Sequence, residues 1–244
     1  RASIKRRILE LMRNEKVETV SAFQNKLLHD PACLDRFVLG LSVHATAMFR
    51  DPSFYSTFRR KAVPLLKTYP TVQIWIAGCS TGEEVYSMAI LLHEANLLHK
   101  SLLYATDINP SVIENIKRGV FPLSAMKQYS ENYIAAGGKG DFSTYYTAIY
   151  DRAQFNQDLK RKMILATHNL VSDRSFNEFQ IIFCRNVLIY FDKTLQDKVL
   201  TLFDDSLERL GFLVLGSKEN IRFSKIAPKF TQVSDKEKLW RKIA

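Results

Sequence analysis

Cysteine is scarce in these 244 residues, and Cys33, Cys79 and Cys184 share neither a disulfide framework nor metal-ligand spacing. They read as reduced, buried thiols, and no metal site is expected. No run approaches eighteen uncharged apolar residues, which excludes a membrane-spanning helix. The basic opening from Arg1 to Arg7 leads into no apolar signal core. A cytoplasmic location without membrane insertion is the expectation. An initiator Met is also lacking, so a processed fragment with residues upstream is expected. Internal repeats and low-complexity stretches are absent from the sequence. So are G-x-G-x-x-G and a Lys-Ser/Thr phosphate loop, which argues against a ligand held by its phosphates.

What is there is an ordinary globular composition, 46% apolar, enough for a substantial core. The net charge of +10 is spread along the chain and not interleaved with aromatics in one tract. That distribution suits an acidic protein partner and disfavours direct nucleic-acid binding.

Residues 3 to about 67 carry helical periodicity, as in Ile4, Ile8, Leu11 and Met12, with Asp30-Pro31 and Asp51-Pro52 as capped helix starts. Helices are expected near 3–14, 17–29, 31–38 and 52–67, forming a helical domain over 1–67 that ends at Thr68-Tyr69-Pro70. Strand and helix signals then alternate through a second domain, 68–244. Val72–Ala77 is followed by a helix over 83–96, and a strand over 102–106 by a helix over 110–118. This alternation predicts a doubly wound parallel sheet with right-handed crossovers. The pattern breaks at Gly137-Gly138-Lys139-Gly140, read as a flexible hinge, and a small β hairpin is expected within an insertion at about 138–156. Strands over 164–167 and 180–184, a long helix over 193–209 stopped by Gly211, a strand over 212–216 and a closing hairpin complete the reading.

The stretch Ile74–Ser87 organises the rest. A strand that ends in a turn with Gly78 and Gly82 and resumes as an acidic helix start brings backbone to a ligand at the sheet's carboxyl edge. Glu83 and Glu84 would repel a phosphate, so a cationic or hydroxyl-bearing ligand fits better. Asp107, closing the next strand, stands where an acid accepts ribose hydroxyls; the alternative is a cap for the Pro110 helix. Asn169 and Asn186 follow apolar runs and could bind a ligand or form turns. His168 could serve as a general base or be a packed structural histidine. Cys184 has no partner motif and is rejected as a nucleophile.

Five strings then assemble in order: Thr46-Ala47-Met48-Phe49-Arg50-Asp51, the segment from Ala77 to Ser87 with its Ser80-Thr81-Gly82-Glu83-Glu84, Ala105-Thr106-Asp107-Ile108, His168-Asn169-Leu170, and Phe183 to Asp192, containing Cys184-Arg185-Asn186-Val187-Leu188-Ile189-Tyr190-Phe191. Together they resemble the CheR-type chemotaxis receptor methyltransferases, over essentially the whole chain. The resemblance implies an α/β fold: a Rossmann-like S-adenosylmethionine (SAM)-dependent methyltransferase sheet, an N-terminal all-α domain for substrate recognition and a small inserted β subdomain. It implies methyl transfer to receptor glutamate side chains, giving glutamyl methyl esters and S-adenosylhomocysteine (SAH). Thr46 and Arg50 would reach the cofactor's methionine end, with His44 close by and Gly78 and Glu84 on the glycine loop. Asp107 would bind ribose, and Asn169, Leu170, Arg185 and Asn186 would surround adenine and sulfonium. Arg50 and Tyr190 would face the transferred methyl and the incoming carboxylate; for Tyr190 the alternative is a packed aromatic with its hydroxyl at the rim. The partners implied are acidic chemoreceptor helices, with the insertion as a dock for a receptor's C-terminal tail, and the protein is expected to act as a monomer.

The chemistry is consistent with that implication. SAM carries a sulfonium and an ammonium but no phosphate, which suits an acidic loop. A glutamate side chain, of ordinary pKa about 4.3, arrives ionised and needs no general base. The enzyme's work is geometric: to desolvate the carboxylate and hold one oxygen in line behind the methyl at roughly 3–3.5 Å. Three departures from the family pattern stand out. His44 replaces a usual Asn, Val85 a common Pro, and Gly216-Ser217-Lys218-Glu219 a more common Gly-His-Ser-Glu. Alternatives are a same-fold carboxyl methyltransferase with another signalling substrate, or a SAM-sensing module without turnover.

Overall fold

The computed structural model describes residues 2–41, 46–234 and 236–244, and the chain divides into two compact units, 1–45 and 46–244. The first unit holds three helices, α1 (Ala2–Asn14), α2 (Val20–His29) and α3 (Pro31–Leu41). Thr19 caps α2 through the Ala22 N–H, and Asp30 accepts from the Cys33 N–H at the start of α3. Met12, Phe23 and Cys33 form its small core. Glu15, in the turn after α1, ties the helices together through Lys26 on α2 and Arg36 on α3.

The division falls 22 residues before the expected junction at Thr68, for a physical reason. In α4 (Pro52–Lys61), Phe54, Tyr55 and Phe58 are buried in the core of the second unit, Phe58 with its ring 5.4 Å from that of Phe183. The expected 52–67 helix is broken, because Pro64 cannot continue the hydrogen-bond ladder; a short α5 (Val63–Leu66) follows. Asp51 does not cap α4. It sits at φ +59 with no side-chain bond to the helix, and its carboxylate is used elsewhere.

The sheet then unfolds in sequence. β1 (Val72–Ala77) leads through α6 (Glu83–Glu94) to β2 (Ser101–Asp107), α7 (Pro110–Arg118) and β3 (Val120–Pro122). After α8 (Met126–Ala135) come β4 (Tyr146–Ile149), β5 (Arg152–Phe155), α9 (Gln157–Lys160), β6 (Met163–Thr167) and β7 (Phe179–Cys184). α10 (Lys193–Ser206), β8 (Leu207–Leu215), β9 (Phe230–Gln232) and β10 (Leu239–Lys242) complete the chain. The large sheet has the order β6-β2-β1-β7-β8-β10-β9, in which β10 alone runs opposite to the others and pairs antiparallel with both β8 and β9. β1 pairs with β2 on one side and β7 on the other, so the strand order reverses at β1, and its carboxyl end is the switch point at which sheets of this kind form a ligand crevice.

The expected hairpin is present as β4 and β5, joined by β3 in a three-stranded sheet. The glycine segment before it is a fixed turn and not a hinge. Lys139 N–H donates to Glu94, Gly140 N–H donates to the Tyr133 hydroxyl, and a Cβ at Gly138 would lie 2.3 Å from the Tyr133 ring. α10 ends at Ser206, three residues earlier than expected. Gly211 lies inside β8, where the pairing with β7 shifts register and Leu210 takes φ +68; a Cβ on Gly211 would meet the Gln180 carbonyl at 3.0 Å. No helix covers the stretch between β6 and β7. Phe176 takes that place, its ring packed on Trp75, Tyr104 and Phe179.

Candidate functional site

The turn after β1 is held first by backbone. Gly78 and Cys79 both donate to the Thr106 carbonyl, at 2.8 and 2.9 Å, which draws the turn over the end of β2. Gly78 stands at φ +73, and a Cβ there would lie 2.5 Å from Val187 Cγ2, so this backbone edge must stay bare. Ser80 N–H donates to Asp107 Oδ2 at 2.9 Å and Asn109 N–H to Oδ1 at 3.0 Å. The α7 cap is Asn109, accepting from Ser111 N–H, so Asp107 does not serve as that cap. It instead presents a carboxylate fixed on both oxygens at the crevice mouth.

Arg185, at the end of β7, is the hub of the site. Its side chain is 4% exposed, with Nη1 2.7 Å from Glu84 Oε1 and Nη2 2.8 Å from Asp51 Oδ2. Nη2 also donates to the Arg50 carbonyl at 3.2 Å, and the guanidinium lies 4.6 Å over the Phe54 ring. Burial works against its charge, but the carboxylates of Glu84 and Asp51 more than offset this and hold the guanidinium ionised above its usual range. Burial and the Glu84 charge push the Tyr55 phenol up, so it stays a neutral donor, with its hydroxyl 3.4 Å from Glu84 Oε1.

This hub locks an unusual backbone. Phe49 and Asp51 both adopt positive φ, +52 and +59, on either side of Arg50. Such conformations are costly for residues other than glycine and persist only where the surroundings over-determine them. Here Phe49 N–H donates to Ser87 Oγ at 2.8 Å, Asn132 donates to the Met48 carbonyl at 2.9 Å, and the buried Phe49 ring packs edge-on to Tyr55 and Tyr133.

The structure therefore brings together Arg50, Gly78, Glu84, Asp107, Arg185 and Asn186. Thr46 is half-buried four residues before Arg50, and His44 lies outside the described residues. The His168 N–H donates to the Asp107 carbonyl, which sets Asn169 and Leu170 beside that edge. Asn169 spends its Oδ1 on the Val171 N–H, a turn role, and Leu170 is buried. The His168 ring is packed edge-on against Trp75, with Nε2 3.2 Å from the Arg174 carbonyl, the surroundings of a structural histidine. Tyr190 is 57% exposed at the rim, four residues after Asn186. Cys184 is fully buried, and burial raises its thiol well above the usual range. Among the described residues no cluster of metal-ligating side chains occurs, and no helix is long and apolar enough to cross a membrane.

Asp51, Tyr55, Ser87 and Glu219 are parts of this arrangement that the sequence reading missed. Asp51 and Ser87 lie within the family-like strings and Glu219 closes the Gly216–Glu219 segment, but no local pattern assigned them these contacts, and the place of Asp51 before Pro52 pointed to a helix cap.

A crevice at the reversal of a parallel sheet, with an acidic helix start after a bare glycine turn and an acid closing the next strand, defines a class: the Rossmann-like SAM-dependent methyltransferases. The family described as CheR methyltransferase, SAM binding domain, matches residues 44–238, and the chain belongs to it. A Pseudomonas putida protein named provisionally as methyltransferase Cher3 is 48% identical, covering 99% of this chain and 88% of its own length. A chemotaxis protein methyltransferase of Listeria innocua is 29% identical, covering 89% of this chain and 81% of its own. A solved glycopeptide N-methyltransferase, MtfA, with sinefungin is 10% identical over 70% of this chain and 50% of its own, with a TM-score of 0.41.

The protein is a methyltransferase with SAM as its cofactor, and the residues present fit that group. Glu84, in the first turn of α6, borders the site as an acid that would repel a phosphate. Glu83 does not face it: the residue is buried, with Oε1 accepting from the Tyr129 hydroxyl and Oε2 from the Thr81 hydroxyl. Gly78 carries no side chain, and the space a Cβ would need is filled by Val187, which packs this turn against the segment after β7.

Proposed function

We propose that this chain transfers a methyl group from SAM to glutamate side-chain carboxylates on the cytoplasmic helices of chemoreceptors. The observation that carries the reading is the Phe49–Asp51 segment, strained on both sides of Arg50 and pinned by Arg185, which also grips Glu84 of the cofactor loop. One rigid unit thus joins a residue suited to a carboxylate with the wall of the cofactor crevice.

Asp107 would hold ribose hydroxyls, with Asn169, Leu170 and Asn186 at the adenine side and Thr46, Arg50 and Glu84 at the methionine end. Arg185 acts mainly by holding Glu84 and Arg50, since its guanidinium is already engaged. The bound cofactor supplies a methyl group on a sulfonium leaving group. Arg50 orients the ionised acceptor carboxylate so that one oxygen donates its lone pair to that carbon. With the cofactor bound, the sulfonium would take the electron pair of the carbon–sulfur bond, and the products would be SAH and a neutral methyl ester. Tyr190, at the rim, would face the transferred methyl and the incoming carboxylate.

The basic first unit suits acidic receptor helices, and the β3–β5 sheet offers an outer strand, β4, to a receptor tail. A monomer in the cytoplasm completes the proposal. Incubation with methyl-labelled SAM and receptor signalling fragments tests it: the expected product is base-labile label on receptor glutamates. Failure to label any glutamate in the fragments would reject the acceptor.

A further inference from the structure

Glu219 is 4% exposed, yet no cation pairs with it among the described residues. Its partners are backbone amides. Oε2 accepts from Gly216 N–H at 2.6 Å and from Asn186 N–H at 2.9 Å, while Oε1 accepts from Ile189 N–H at 3.3 Å. These amides come from the exits of two neighbouring strands, β7 and β8, so one buried carboxylate ties two loops at the crevice. Removing a carboxylate from water is expensive unless its lone pairs are satisfied, and three N–H donors supply that here.

The fit leaves no slack. A Cβ at Gly216 would lie 2.8 Å from both the Asn186 nitrogen and Glu219 Oε2, and 2.9 Å from Asn186 Nδ2. Asn186 itself is held at φ +60, an uncommon conformation that asparagine tolerates better than most residues. From this point the chain runs through buried Leu188 to Ile189 and Tyr190 at the rim.

We infer that Glu219 is a positioning residue: its carboxylate sets the Asn186–Tyr190 segment in the geometry that the cofactor and the methyl acceptor meet. This rests on the proposed roles of Asn186 and Tyr190. Glu219 touches neither ligand; it acts through the backbone that carries these two side chains. It also explains why the departures at Ser217 and Lys218, both exposed, leave the anchor of that segment intact.

The test uses the full chain and SAH, which needs no acceptor. Glu219→Gln keeps the shape but turns an NH2 toward amide donors, and Glu219→Asp keeps the charge but shortens the reach. By calorimetry, Glu219→Gln is expected to weaken SAH binding roughly tenfold, with Glu219→Asp recovering part of the loss. Phe230→Leu, a buried change on β9, serves as a control that lowers stability without changing SAH affinity. SAH affinity for Glu219→Gln within about twofold of the parent, at a temperature where both are folded, would overturn the inference. Should that variant not fold, amide exchange in the parent chain decides. Linkage is reciprocal, so SAH should raise the protection of the Gly216, Asn186 and Ile189 amides, and unchanged protection overturns the clamp. A parent chain that binds SAH but methylates no receptor glutamate would refute the acceptor and not the clamp.

Discussion

Arg185 Nη1 lies 2.7 Å from Glu84 Oε1, across 101 residues of sequence, and the same guanidinium reaches Asp51 at 2.8 Å. The pair joins the cofactor loop to the segment carrying Arg50, so a change at Glu84 is felt on both. Glu84→Gln leaves the buried guanidinium with a weaker partner. Stability to urea should fall by about 2 kcal/mol, and SAM affinity by roughly tenfold, with the fold retained by circular dichroism. Unchanged affinity would remove Glu84 from the cofactor site.

Ser87 is fully buried, accepts from Phe49 N–H at 2.8 Å and donates to the Glu83 carbonyl at 2.6 Å. Ser87→Ala strands the Phe49 amide in the core beside a strained φ. The expected cost is about 1–3 kcal/mol, read by denaturant unfolding, with a loss of SAM affinity as the Arg50 segment relaxes.

Gly78→Ala combines two penalties, a positive φ and a Cβ placed 2.5 Å from Val187 Cγ2. The backbone term is about 1 kcal/mol and overpacking adds about 1–3 kcal/mol. Adding Val187→Ala should recover the packing part and leave the backbone part, so the two substitutions are non-additive in a double-mutant cycle. Additive losses would show that Val187 does not press on this turn.

In the first unit, hydrogen bonds from Arg36 and then Lys26 hold the Glu15 carboxyl at about 2, against a usual value of 4.5. A depressed folded pKa contributes stability that is present above the usual value and is lost as pH falls through the folded one. The three helices should therefore lose stability between about pH 5 and pH 2. Glu15→Gln should flatten that slope, measured by amide exchange on α1–α3.

Much of the fold was legible because its signals are local. The alternation of apolar runs with helical periods located β1, α6, β2, α7 and β7 nearly to the residue, and the hairpin of β4 and β5 followed from its flanking turns. β3 and α8 went unread: three residues make too short a strand to register, and α8 buries only Met126, Tyr129 and Tyr133. The end of α10 was misplaced because helical periodicity continues through Leu207, whose burial comes from pairing with Phe179 on a distant strand.

The candidate site divides in the same way. By itself the sequence determined the family and where the strands deliver Gly78, Glu84, Asp107, Asn169 and Asn186, since each stands at the end of an apolar run that fixes its position along the sheet. Only the tertiary structure decided which of them touch. Whether Asp51 caps a helix or pairs with Arg185, and whether Glu219 is a surface acid or a buried clamp, depends on strand order and burial. Both are set by contacts between residues tens to more than a hundred positions apart, which no local pattern records.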